Sequence, residues 1–140
     1  EGILFTEVIN RIEALKSSEI DITLSSWSNS PEQIYRDSDI FVMTSRYEGM
    51  PLALLEALAC GLTCIVPDIP ELTEIIDDGI NGLVYERRNT NSFASKISLA
   101  VESLDMRETI GENARILAMN NYNIDARVAD LKKIYNLIAN

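Results

Sequence analysis

Two runs of apolar residues, 39–44 (DIFVMT) and 63–66 (TCIV), limit what this chain can become. Neither alternates polar with apolar side chains over its length, so each reads as a strand buried on both faces. Between them lies PLALLEALAC, residues 51–60, an apolar helix stopped by Gly61. Strand, helix, strand in that order predicts a parallel pair with the helix packed on one face.

The same alternation runs through most of the chain. Phe5, Val8, Ile9, Ile12 and Leu15 have helical spacing and predict a helix over residues 4–16. Residues 20–24 (IDITL) alternate and read as a strand. Ser30-Pro31-Glu32 opens a short helix to about Arg36, with Pro31 at its first position. A short helix is expected over residues 71–76, then a turn at Asn81-Gly82 into a strand at residues 83–85. From Asn91 onward the chain reads as helical: one stripe of Phe93, Ile97, Ala100 and Leu104, a second helix over 106–119, and a last stripe of Ile124, Val128, Leu131, Tyr135 and Ile138. The fold class expected is α/β, a Rossmann-like parallel sheet with helices on both faces. In such sheets ligands bind at the carboxyl ends of the strands.

The chain has 140 residues, of which 46% are hydrophobic, enough for one domain with a core. Twelve Lys+Arg stand against 22 Asp+Glu, a net charge of −10. That argues against nucleic acid as a main partner, because phosphate backbones select basic surfaces. Cys60 and Cys64 are the only cysteines and there is no histidine, so they read as two buried free thiols rather than a metal site. The lack of histidine also removes Ser-His and Cys-His nucleophilic catalysis. The opening Glu1-Gly2 predicts no secretory leader, and the free thiols suit a reducing, cytoplasmic setting.

Chemistry concentrates after the first apolar strand, in SRYEGMP and the helix behind it. Gly49 lets a backbone approach a ligand, and the helix start points free N–H groups at it, those of Met50, Leu52 and Ala53. Glycine before a helix is also an ordinary turn. Glu56 is the one charged residue from Gly49 to Pro67. In so apolar a helix it is expected to have poor access to water, and so to face either a ligand or a specific donor. A carboxylate among the small side chains Ala53, Ala57 and Cys60 suits two adjacent hydroxyls of a ligand. Pairing with a neighbouring loop or basic side chain would satisfy it equally.

These residues, SRYEGMPLALLEALACGLTCIV followed by EIIDDGINGLVY, resemble the carboxyl-terminal half of the retaining, nucleotide-sugar-dependent glycosyltransferases of the GT-B fold, the group-one glycosyl transferases. Two glutamates separated by seven residues, here Glu48 and Glu56, carry the resemblance, which extends from about Val8 to the end. It implies transfer of a sugar from a nucleotide diphosphate sugar to an acceptor hydroxyl. Glu48 would lie by the donor sugar near the reacting carbon. Glu56 would bind the ribose, and Gly49, Met50 and Leu52 the diphosphate. Ser25, Ser26 and Trp27 would lie by the base. The resemblance further implies that residues 1–140 are one incomplete donor-binding domain, without the amino-terminal acceptor domain and without the arginine and lysine that usually neutralise the diphosphate. No cofactor or metal is expected. The expected partners are the donor and a saccharide or lipid-linked acceptor, with a cytoplasmic setting that includes the inner face of the membrane. A non-catalytic Rossmann-like module binding a nucleotide or a partner protein is the alternative, and a sugar epimerase or phosphorylase of the same architecture a third reading.

Overall fold

The computed structural model describes residues 5–15, 21–25 and 30–138. Helices α1 (Phe5–Leu15) and α2 (Pro31–Arg36) lead into strand β1 (Ile40–Val42). Then follow α3 (Leu52–Ala59), β2 (Thr63–Pro67), α4 (Pro70–Thr73) and β3 (Leu83–Tyr85). Three helices complete the chain: α5 (Thr90–Glu102), α6 (Leu104–Asn121) and α7 (Ile124–Ile138). The strands form one parallel sheet in the order β1-β2-β3, with Ile40 paired to Thr63 and Ile65 to Leu83.

Strand β2 shows why its sequence is apolar throughout. Cys64 and Val66 pack on one face against Leu54, Ala57 and Leu58 of α3 and Ala114 and Ala118 of α6. Ile65 packs on the other against Leu83, Tyr85, Ala100 and Ile110. Helices therefore cover both faces, as expected. Burial pushes the Cys64 thiol up to about 12, so it stays protonated and inert at neutral pH. Both cysteines are free, but Cys60 is only half-buried, at the end of α3.

The ends of the elements explain their lengths. Gly61, at φ 81°, closes α3: its N–H donates to Leu58 O and the Leu62 N–H to Ala57 O, so two terminal carbonyls are satisfied. Gly111 of α6 lies against this turn so closely that a Cβ there would stand 2.2 Å from Gly61 O. Buried Asn81 closes the turn before β3, accepting from the Asp77 N–H at 2.7 Å and donating to Ile75 O at 3.0 Å. Asp78 then ties β3 to α5, accepting from the Val84 N–H and from Lys96 Nζ, each at 2.8 Å.

Three expectations need correction. Residues 21–24 belong to no strand, and Ile20 lies outside the described residues. Alternation supplies a face but not a ladder, and residues 21–25 pair with no other described strand. Helix α4 stops at Thr73, whose hydroxyl bonds back to Ile69 O at 3.2 Å. Leu104 does not continue the α5 stripe. Ser103 separates the helices as the N-cap of α6, accepting from the Met106 N–H, and Leu104 is exposed in the new helix.

Candidate functional site

The carboxyl edge of the sheet is built by the segments following β1, β2 and β3. The one after β1 is held from the side: the Tyr85 hydroxyl donates to Met43 O at 3.1 Å, while the Met43 N–H prolongs the ladder to Ile65 O. Residues 44–51 follow. Pro51 is the N-cap of α3 rather than its first helical residue. The Leu52 N–H donates to Met50 O at 2.9 Å and is therefore engaged, contrary to the expectation that it would face a ligand. The Met50 and Ala53 N–H groups make no backbone hydrogen bond among the described residues.

Gly49 is exposed, has no positive φ, and a Cβ placed on it would meet nothing within 4 Å. The fold itself does not require glycine there. Next to it, Met50 and Leu52 are 66% and 64% exposed, unusual for large apolar side chains side by side.

Glu56 corrects the sequence reading. Helix α3 buries Leu54, Ala57 and Leu58, but Leu52, Ala53 and Glu56 share its exposed side. High mean apolarity said nothing about which face a single carboxylate takes. A specific donor does exist: the Tyr35 hydroxyl of α2 reaches Glu56 Oε2 at 3.2 Å. Tyr35 is itself fixed edge-on against Phe41, with ring centroids 5.9 Å apart. Burial, and then the bond to Glu56, push the Tyr35 phenol above its ordinary value, so it remains a donor at neutral pH. Glu48 is half-buried. Ser26 and Trp27 lie outside the described residues.

Further residues, not singled out from the sequence, stand at this edge. Glu71 Oε2 is buried without a hydrogen-bond partner and borders a cavity of about 260 Å³ shared with Gly49, Met50 and Pro51. A second cavity, of about 390 Å³, lies between the segments after β1 and β3. The signal for the second was in view: Arg87-Arg88 stands one residue after an expected strand. The signal for Tyr35 was not, because its partner comes from another helix. No group of three or more His, Cys, Asp or Glu among the described residues could hold a metal ion.

The loop and helix with the two carboxylates stand at the carboxyl edge of a doubly covered parallel sheet, the edge at which α/β folds generally bind ligands. The family described as Glycosyl transferases group 1 matches residues 4–117, and the chain belongs to it. Among relatives, it is 33% identical over 114 residues to the UDP-Gal:alpha-D-GlcNAc-diphosphoundecaprenol alpha-1,3-galactosyltransferase of Escherichia coli. The match takes in 81% of this chain and 29% of that one. It is 35% identical over 82 residues to the N,N'-diacetylbacillosaminyl-diphospho-undecaprenol alpha-1,3-N-acetylgalactosaminyltransferase of Campylobacter jejuni, covering 59% of this chain and 22% of the relative. The chain thus spans under a third of the length of either. Among solved structures, the carboxyl-terminal domain of a group-one glycosyl transferase from Francisella tularensis superposes with a TM-score of 0.76 at 26% identity, over 89% of this chain and 66% of that one. TarM of S. aureus, solved with UDP bound, superposes with a TM-score of 0.84 at 26% identity, over 97% of this chain and 28% of that one.

Proposed function

We propose that this chain is the donor-binding part of a glycosyltransferase that moves a sugar from a nucleotide diphosphate sugar to an acceptor hydroxyl with retention of configuration. The observation that carries the reading is the Glu48–Glu56 pair flanking a glycine that the fold does not itself require. A Cβ at Gly49 has room in the protein, and in this reading its absence leaves space for the diphosphate to approach the backbone. Glu56, exposed and hydrogen-bonded to Tyr35, accepts from the two ribose hydroxyls in this reading. Glu48 acts near the reacting carbon. The leaving group is a diphosphate, so the reaction needs fixed donors where negative charge develops. The Met50 and Ala53 N–H groups at the start of α3 supply two of them, without a metal in this reading.

The relatives' activities, as their names give them, support a finer statement. The E. coli enzyme is named for UDP-galactose, and TarM was solved with UDP, which favours uridine as the base. Two relatives are named for diphosphoundecaprenol-linked sugars, which favours a lipid-linked acceptor and work at the inner face of the membrane. No described helix is long and apolar enough to cross a membrane.

The test is UDP binding and turnover in the full-length protein. Glu56→Gln keeps the volume but weakens the acceptor, and is expected to cost about 1.5–3 kcal/mol in UDP affinity. Glu48→Gln is expected to lower turnover more than UDP affinity. Unchanged UDP affinity in folded Glu56→Gln would remove the ribose assignment. Equal losses of turnover and affinity on Glu48→Gln would make that residue a binding or structural one.

A further inference from the structure

The cavity between the segments after β1 and β3 has a lining of one chemical kind. Thr44, Ser45 and Arg46 come from the first, Arg87 and Arg88 from the second, and Tyr85 from the end of β3. Three arginines, a threonine and a serine line about 390 Å³, and no carboxylate-bearing residue is among the lining residues. That volume lies within the range of about 300–1,000 Å³ typical of small-molecule sites.

Four cations elsewhere, Arg11, Lys96, Arg127 and Lys133, each sit on a carboxylate within 2.8–3.4 Å, whereas Arg36, Arg115 and Lys132 make no ion pair among the described residues. In a chain with 22 acidic residues and only 12 basic ones, partners are plentiful. Yet the guanidiniums of Arg46, Arg87 and Arg88 make no ion pair or hydrogen bond among the described residues. The nearby carboxylates are engaged by amides instead. Asp68 Oδ1 accepts the Arg87 backbone N–H at 2.7 Å, and Glu86 Oε2 accepts from Asn89 Nδ2 at 2.8 Å. Arg88 is also the one non-glycine residue at positive φ, 65°, among those described. The loop therefore carries two arginines side by side while its acids are tied down. Tyr85 forms a fixed wall, its hydroxyl spent on Met43 O.

We infer that this cavity is an oxyanion site that takes a phosphate or diphosphate group through Arg46, Arg87 and Arg88. Guanidinium forks match phosphate oxygens two at a time, and the Thr44 and Ser45 hydroxyls add neutral donors. On a protein of net charge −10 such a patch also concentrates anions locally against an otherwise repulsive field. The site deepens the donor-binding reading but does not depend on Glu56. Its phosphate can come from the donor nucleotide, whose diphosphate would then gain three basic partners. It can also come from a second, phosphate-bearing ligand bound beside the donor.

The experiment is calorimetric titration of the full-length protein with inorganic pyrophosphate, then with UDP, at two salt concentrations. The wild type, the triple variant Arg46→Gln/Arg87→Gln/Arg88→Gln and Glu56→Gln are compared. Pyrophosphate is expected to bind the wild type at one site with an affinity that falls with salt. The triple variant should lose roughly tenfold or more of that affinity, with an unchanged melting temperature because the three side chains are exposed. Glu56→Gln should bind pyrophosphate as the wild type does. If UDP displaces pyrophosphate and the triple variant loses UDP affinity in parallel, the phosphate is the donor's. If both bind together and UDP affinity is kept, the site serves a second ligand. Equal pyrophosphate affinity in wild type and triple variant, or no binding to the wild type at millimolar concentrations, would overturn the inference. Failure of Glu56→Gln to weaken UDP would overturn the ribose assignment alone.

Discussion

Glu56 is steered by a side chain on a different helix. Tyr35 reaches its carboxylate at 3.2 Å and is itself braced on Phe41. Tyr35→Phe keeps the ring and removes only the hydroxyl. We expect it to weaken UDP binding by about 0.5–1.5 kcal/mol, the usual worth of one hydrogen bond. In a Glu56→Gln background the same change should have less effect, since the two groups act as a unit. A double-mutant cycle read by calorimetry checks both, and full additivity would separate Tyr35 from the site. Gly49 gives a second residue-scale test. Because a Cβ has room there, Gly49→Ala should leave the melting temperature nearly unchanged and still weaken UDP binding. The glutamate spacing and the glycine were legible in the sequence because they are local. The exposure of Glu56 was not: Leu54, Ala57 and Leu58 decide which side of α3 is buried, and they do so through contacts with β2 and α6.

Helix α6 and the turn after α3 meet through two glycines, and here the fold itself imposes the residue. Gly111→Ala would drive a methyl into backbone, to within 2.2 Å of Gly61 O. The expected cost is about 1–3 kcal/mol, since backbone cannot swing aside as a side chain can. A fall in the urea midpoint at unchanged slope would confirm it. Between β3 and α5 the joint is electrostatic. Burial works against the Asp78 charge, but the Lys96 and Val84 hydrogen bonds outweigh it and hold the carboxyl below its ordinary value. A depressed folded value means the contribution is complete above about pH 4 and is lost as pH falls through that lower value. Asp78→Asn should remove this part of the acid sensitivity, at a cost near neutral pH of about 1 kcal/mol because the pair is partly solvated. Urea midpoints followed from neutral pH downward would show the two curves converging. Elements came out of the sequence where pattern and punctuation agreed, as in α3 with Gly61 or β3 after Asn81-Gly82. They failed where pattern stood alone. Residues 21–24 alternate but meet no ladder, and Leu104 keeps the α5 spacing although Ser103 caps a new helix.

At the scale of the molecule, the edge that carries the site is open, and the chain spans under a third of the two enzymes named above. In the proposed reading the wall that holds the acceptor lies outside these 140 residues. The isolated chain is therefore expected not to transfer sugar, since a site of this kind needs both walls to orient the acceptor and exclude water. Ile124, Val128, Leu131, Tyr135 and Ile138 of α7 are all exposed, so the same preparation should self-associate. Turnover with a panel of donors and acceptors, alongside light scattering, decides both; robust transfer by a monodisperse monomer would contradict them. The parallel sheet also sets an order of events as the chain is made. Ile40 can pair only once Thr63 exists, and Ile65 only once Leu83 does, so no neighbouring strands are joined by a short hairpin. On the ribosome, β1 and β2 must wait with their apolar side chains exposed until the segments after them emerge. The long loops to be closed make this a slow-folding topology, and the interval before Tyr85 leaves the exit tunnel is when a chaperone has most to cover.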